Sequence, residues 1–428
     1  MVHSDTPCRF HWRLLPVLLA VMVLCASYVR AQEPASGGRI VERRPPLYTF
    51  KRDINPLTWV EWGAEPLFRS AESGWIRRIA TYRRPSDGTA GVKFGLGGTG
   101  SGSGFGPAVT FFHKDLLGRG IELKVPLTYT YLRYEQYQAI ARVPVIQDSF
   151  FRKLTFDVQT AYRSHAGDDM FTLGNDAPRR LESQVRTVSR EVGAGFSTQL
   201  NEWWTSGLHE TYRNVGVTTP VFGVSAQDRL KAFAIPGLAS GGIIRSTVLT
   251  IDHNTQDRQH PLAKGGEEHA EISLNESIGK GDFSYWRYHL DFQHFFPITD
   301  DYRTVVAFRG FAETNQAKSG SSVPWFDMPA LGTWDTLRGF ENFRFRDRSA
   351  LSLTAEYRYR IWRAMDWGFF LDGGQVAPHL GDMGLNRFHT GYGFRFFVLP
   401  KATFPIAIDV AHSAEKWWRL YINFNTSF

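Results

Sequence analysis

TLRGFENFRFRDR, residues 336–348, sets Arg338, Arg344, Arg346 and Arg348 among Phe340, Phe343 and Phe345. Guanidinium groups interleaved with aromatic rings suit three kinds of chemistry. They can stack on and attract RNA, form a solvated cationic face, or pair with carboxylates inside another structure. The Arg-Gly-Phe step matches the start of the RNA-recognition pattern, but Glu341 and Asn342 stand where a small residue and the second stacking aromatic belong. No nucleic-acid platform is assembled, so the partners of these arginines have to come from elsewhere in the chain.

Other stretches carry less chemistry. FGLGGTGSGSGFG, residues 94–106, has the glycines of a phosphate-cradling loop, yet no Lys-Ser/Thr follows them and no strand-loop-helix context surrounds them. It reads as a glycine-rich hairpin at a first strand, and such an edge pairs weakly. His269-Ala270-Glu271 lacks the cysteines of a zinc deaminase site. Neither H-E-x-x-H nor G-x-S-x-G occurs, and the thirteen histidines are scattered. The sequence calls for no catalytic residue, no metal and no cofactor.

The elements that position the arginines begin after residue 31. Arg9 and Arg13 precede an apolar run from Leu14 to Ser27 and a small-residue end at Val29 and Ala31. That is the pattern of a cleaved secretory leader, too short to span a bilayer. Cys8 and Cys25 both lie inside it, so disulfides and thiolate sites are excluded from the mature chain. Its loss removes three positive charges and one negative, lowering the net charge from +7 to +5. A mild basic excess suits anionic lipid headgroups but says nothing about fold.

Beyond the leader, alternation recurs where long apolar runs are missing. In SYWRYHLDFQ, Trp286, Tyr288, Leu290 and Phe292 face one way while Arg287, His289, Asp291 and Gln293 face the other. LSLTAEYRYRI opposes Leu351, Leu353, Ala355, Tyr357, Tyr359 and Ile361 to Ser352, Thr354, Glu356, Arg358 and Arg360. IELKVPLTYTY repeats the theme from Ile121 to Tyr131. Segments of about ten residues, with aromatics on one face and full charges on the other, mark a transmembrane β-barrel better than a soluble sandwich. Lipid tolerates the aromatics, and a wet lumen tolerates the charges. The expected fold is all-β, a 16-stranded antiparallel transmembrane β-barrel over residues 90–428. In the last strand Leu420, Ile422, Phe424 and the terminal Phe428 share a face, resembling the C-terminal targeting signal of Gram-negative outer-membrane proteins.

LGTWDTLRGF, EYRYRI, FLDGGQV and GYGFRF, in that order, resemble the BamA/TamA outer-membrane superfamily, known also as the bacterial surface antigen domain and shared with two-partner secretion transporters. In that family a long extracellular loop folds back into the lumen and presents an Arg-Gly-Phe/Tyr tip. Leu337, Arg338, Gly339 and Phe340 match the tip, and Phe370, Asp372, Gly374 and Val376 match a later Phe-x-Asp-x-Gly-x-Val strand. Residues 115–125 and 252–266 are weaker family segments. The resemblance implies insertion or passage of polypeptides at the outer membrane, with outer-membrane lipid and an unfolded polypeptide client as partners. The alternative is a passive channel that kept the fold. In a lumen, Arg338 beside inward-facing Asp372, Glu356 and Arg395 is expected to form a charge-assisted pair that pins the loop to the wall. Gly339 would supply the turn, and Phe340 would cover the pair from water.

Ahead of the barrel, residues 32–89 read as a periplasmic linker. Pro34, Pro45 and Pro46 are followed by apolar residues from Leu57 to Ile79 at helical spacing. The family's best-known members carry periplasmic POTRA modules there, and this segment has room for less than one.

Overall fold

The computed structural model describes residues 81–83, 89–147, 153–257, 260, 262–279, 281–362, 365–398 and 406–424. The leader, the helix expected at 57–79 and Phe428 lie outside them.

A three-residue β1 (Thr81–Arg83) precedes β2 (Ala90–Gly97), β3 (Gly106–Leu116), β4 (Ile121–Tyr129), β5 (Glu135–Gln147) and β6 (Lys153–Met170). The run continues with β7 (Ser183–Gln199), β8 (Trp204–Thr218), β9 (Gly242–Asn254), β10 (Gly265–Ser277), β11 (Ser284–Pro297) and β12 (Thr304–Ala317). After a small antiparallel pair, β13 (Ala330–Leu331) and β14 (Phe345–Arg346), it ends with β15 (Ser349–Trp362), β16 (Met365–Ala377), β17 (His389–Val398), β18 (Ile406–Ser413) and β19 (Lys416–Phe424). Apart from the stub β1 and the pair β13–β14, sixteen long strands remain, as the alternation predicts. The stub lies upstream of the expected barrel start and pairs with β2 at Gly91, Val92 and Lys93. Consecutive strands pair antiparallel, and β12 passes over the small pair to join β15.

Each strand separates its side chains as a membrane barrel requires. On β15, Leu353 and Tyr357 are exposed while Ser352, Thr354, Glu356 and Arg358 are buried. On β16, Phe369 and Leu371 are exposed while Phe370 and Asp372 are buried. Buried charge behind exposed aromatics inverts the arrangement of a soluble protein and matches a lipid-facing exterior around a polar bore. Among the described residues no helix is long and apolar enough to cross a membrane.

Curvature follows from what the 318–348 loop touches. It reaches Arg213 on β8 and Tyr421 on β19. Nine inter-strand steps separate these strands, about 43 Å in a flat sheet at ~4.8 Å per step. The turn between β2 and β3 also meets this loop, since a Cβ on Gly102 would lie 3.1 Å from Asn342 Nδ2. Both ends of the sheet therefore roll towards one infolded segment. The longer connections, 171–182, 219–241, 318–348 and 378–388, leave one end of the barrel, and turns such as 117–120 and 200–203 leave the other. Short turns face the periplasm and long loops the exterior in such barrels, which orients the molecule.

Candidate functional site

Arg338 sits at the tip of the infolded loop, and its guanidinium has three carboxylates around it. Nε and Nη2 donate to Asp372 Oδ2 and Oδ1, both at 2.7 Å, in a two-pronged pair, and the residue's own N–H donates to Asp372 Oδ2 at 3.0 Å. Nη1 donates to Glu356 Oε1 at 3.0 Å and lies 3.7 Å from Asp409 Oδ2. Arg395 pairs with Asp409 through two nitrogens and approaches Glu356 at 3.1 Å, while Arg358 pairs with Glu356 from the other side at 2.6 and 2.8 Å. Thr354 Oγ1 donates to Asp372 at 2.9 Å.

The cluster contains three arginines and three carboxylates, all buried, so its charges cancel. Ions taken from water cost several kcal/mol each unless paired and hydrogen-bonded, and here each carboxylate faces at least one guanidinium. Burial pulls the Arg338 pKa down, but Asp372, Glu356 and Asp409 outweigh it and hold it above the ordinary arginine value. Arg346, in β14, shows the opposite balance: burial brings its guanidinium down to about 10. It donates to the Trp325 and Met328 carbonyls at 3.1 and 2.9 Å.

The expected tip residues divide the work differently from the sequence reading. The ring over the Arg338 guanidinium is Phe370, with its centroid 3.4 Å away, where cation–π attraction adds to the pair. Phe340 instead joins Leu331, Leu337, Phe345, Ala350 and Val376 in a buried apolar cluster that seats the loop. Gly339 has φ +92°, and its N–H donates to the Tyr421 hydroxyl at 3.1 Å. Its carbonyl accepts from Ser413 Oγ at 2.7 Å. A side chain there would press on the His412 backbone at 2.8 Å, so the turn and the close approach both require glycine. Gly374 makes room for Leu331 and Leu337, and Gly391 for the Arg338 carbonyl.

The structure thus gathers Leu337, Arg338, Gly339, Phe340, Glu356, Phe370, Asp372, Gly374, Val376 and Arg395 around one tip. Leu420 and Ile422 point outward, 65% and 55% exposed, and Phe424 pairs in register with Ile406. Asp409 escaped the sequence reading. Its signal was a lone acid between Ala407 and Ala411 on the inward face of a strand that points Ile406, Ile408 and Val410 the other way.

Three further anchors carried no sequence signal. Asp327, in the same loop, pairs with Arg213 and accepts from the Tyr285 hydroxyl at 2.5 Å. Arg344 pairs two-pronged with Glu415 at 2.8 Å, while Glu341 takes Arg179 from the 171–182 connection at 2.5 Å. Asp327→Asn is expected to lower stability by about 1 kcal/mol, because Arg213 keeps solvent contact and an amide keeps one bond. Urea unfolding checks the magnitude. Limited proteolysis should find new cuts in 318–326 while 336–348 stays protected.

The Omp85 superfamily domain matches residues 115–417, well over half of the chain. The chain belongs to the Omp85 superfamily. Its barrel is similar to that of BamA from Haemophilus ducreyi lacking POTRA domains 1–3, at 15% identity and a TM-score of 0.56, covering 80% of this chain and 73% of that one. It is also similar to CdiB from Escherichia coli, at 10% identity and a TM-score of 0.51, covering 80% of this chain and 66% of that one. A search of curated proteins gives no match. At such identities the likeness concerns the fold, and this Omp85 barrel spans just under two thirds of the CdiB chain. The described residues begin at Thr81 and include no POTRA module. Omp85 membership agrees with the outer-membrane barrel that the alternation predicts and with the superfamily that the loop and strand motifs resemble. Among the described residues no group of histidines, cysteines and acids is arranged to hold a metal.

Proposed function

We propose that this Omp85 barrel assists the insertion or translocation of polypeptides at the outer membrane, after export by a cleaved leader, with an unfolded polypeptide as client and the membrane lipid as its other partner. The observation that carries this reading is the placement of the loop tip. It is clamped by Arg338 to β15, β16 and β18, and it also holds the last strand through Tyr421, whose hydroxyl accepts from Gly339 N–H and donates to the Phe340 carbonyl at 3.3 Å. A segment seated inside the bore and attached to the terminal strand suits a machine that works at its wall better than a wide passive pore.

The first strand supports the same reading. β2 is eight residues long and contains Gly91, Gly95 and Gly97, and a Cβ on Gly95 would meet nothing within 4 Å. Few side chains pack across such a strand, so its pairing is weak; the stub β1 covers its edge at Gly91, Val92 and Lys93, and displacement of that stub would leave a template for an incoming strand. No bond is made or broken in the work proposed. It consists of strand pairing with a client beside a locally loosened wall.

The test is a disulfide between one cysteine in β2 and one in β19, in protein reconstituted into liposomes and assayed for insertion of a small outer-membrane barrel. Oxidation is expected to reduce insertion at least tenfold, and reduction to restore it. Full activity in the locked form contradicts the proposal, as does a steady, wide conductance from the unaltered protein in a planar bilayer.

A further inference from the structure

The outer face of β5–β8 carries a groove that the lumen chemistry does not use. It is an open hollow of about 710 Å³ whose lining includes the outward Leu127, Tyr137, Tyr162, Arg190, Val192 and Tyr212, together with Glu191 and Arg213 of the same strands. The first six share the outward side of their strands, since Tyr137, Val192 and Tyr212 are exposed large side chains on a barrel whose charges point inward. In register, Tyr137 stands opposite Tyr162, Tyr162 opposite Arg190, and Arg190 opposite Asn214. The Tyr137 and Tyr162 rings stack at 5.8 Å. Ala139 and Thr160, one step lower, leave the floor shallow.

Arg190 gives this apolar hollow a charge. It is exposed, and among the described residues it makes no ion pair. The outward carboxylate of β8, Glu210, is already held by Arg245 and by Thr247 at 2.6 Å. Glu191, beside Arg190 in sequence, faces inward to Arg163 at 3.0 Å.

Depth decides the occupant. Trp203 and Trp204 mark the periplasmic girdle, and on β8 the outward face runs from Trp204 to Tyr212, about 26 Å along the strand at ~3.3 Å per residue. At a tilt of about 40° this is about 20 Å of membrane depth, close to the ~25 Å apolar band of such barrels. Tyr137, Tyr162 and Tyr212 therefore form the girdle at the exterior side, and Arg190 stands at headgroup level.

We propose that this groove is a binding site for a lipid of the outer leaflet with a phosphate headgroup, whose phosphate meets Arg190 and whose chain lies along Val192 and the tyrosines. An arginine near a membrane surface contributes about 1 kcal/mol of attraction to an anionic headgroup, roughly a fivefold preference.

Native mass spectrometry of the full chain in detergent, titrated with dilauroyl phosphatidic acid or dilauroyl phosphatidylcholine, reads this out. The unaltered protein is expected to retain phosphatidic acid about fivefold better. Arg190→Gln should lose that preference and keep phosphatidylcholine binding, Val192→Trp should weaken both by filling the groove, and Arg245→Gln should change neither. Heat-modifiable electrophoretic mobility confirms that each variant is folded. An undiminished preference in Arg190→Gln overturns the site. Displacement of phosphatidic acid by equimolar inorganic phosphate also overturns it, since the ligand would then be the free anion and not a lipid.

Discussion

Arg338→Ala is expected to lower the unfolding free energy of the refolded barrel by about 3–5 kcal/mol, the usual loss when one partner of a buried ion pair is removed. Glu356, Asp372 and Asp409 would then face only Arg358 and Arg395, leaving one uncompensated negative charge in a buried cluster. The apolar seat made by Leu337, Phe340 and Phe345 would persist, so the barrel should still form while the tip exchanges with solvent. Urea unfolding followed by tryptophan fluorescence measures the loss, and proteolysis between 336 and 348 reports the freed tip. Arg338→Lys should fall between the two, because an ammonium keeps the charge but cannot fork across both oxygens of Asp372. If the alanine variant unfolds at the same urea concentration as the unaltered protein, Arg338 does not clamp the loop.

Gly391→Ala is expected to release the same tip without touching a charge. A Cβ on Gly391 would lie 2.0 Å from the Arg338 carbonyl oxygen, a distance no carbon can hold. Backbone lies on both sides of the contact, so either β17 shifts or the tip lifts. Forced overpacking of this kind costs about 1–3 kcal/mol, occasionally more, and the cleavage pattern should resemble that of Arg338→Ala. Gly381→Ala is the matched control, since a Cβ there meets nothing within 4 Å, and it should change neither stability nor cleavage. Equal behaviour of the two glycine variants would mean that the tip does not rest on β17.

The strands were legible because lipid and lumen impose opposite demands on neighbouring residues. Leu353 and Tyr357 against Thr354 and Glu356 leave little freedom in choosing a period. The Arg338–Asp372 pair was legible because both residues lie in ordered motifs. Arg358 was placed correctly on the inward face of β15, beside Glu356 two residues along the same strand, whereas the approach of Arg395 to Glu356 depends on how β15 stands beside β17 across β16. Alternation gives the face of a residue but not its height, and register sets the height. The Asp327–Arg213 anchor shows the limit plainly. Its partners are 114 residues apart, joined only by the curl of the sheet and the path of an irregular loop. Phe340 failed for a related reason: the motif gave its position at the tip, whereas the direction of its ring depends on Phe345 and on His389, whose ring stacks on Phe345 at 4.0 Å.

A double-mutant cycle between Arg338→Gln and Asp372→Asn, read by urea unfolding, tests the infolded clamp most directly. If the guanidinium and the carboxylate face each other in the bore, the double variant should lose scarcely more stability than either single one, with a coupling of about 2 kcal/mol or more. Losses that simply add, with no coupling, would place Arg338 away from the wall and contradict the clamp.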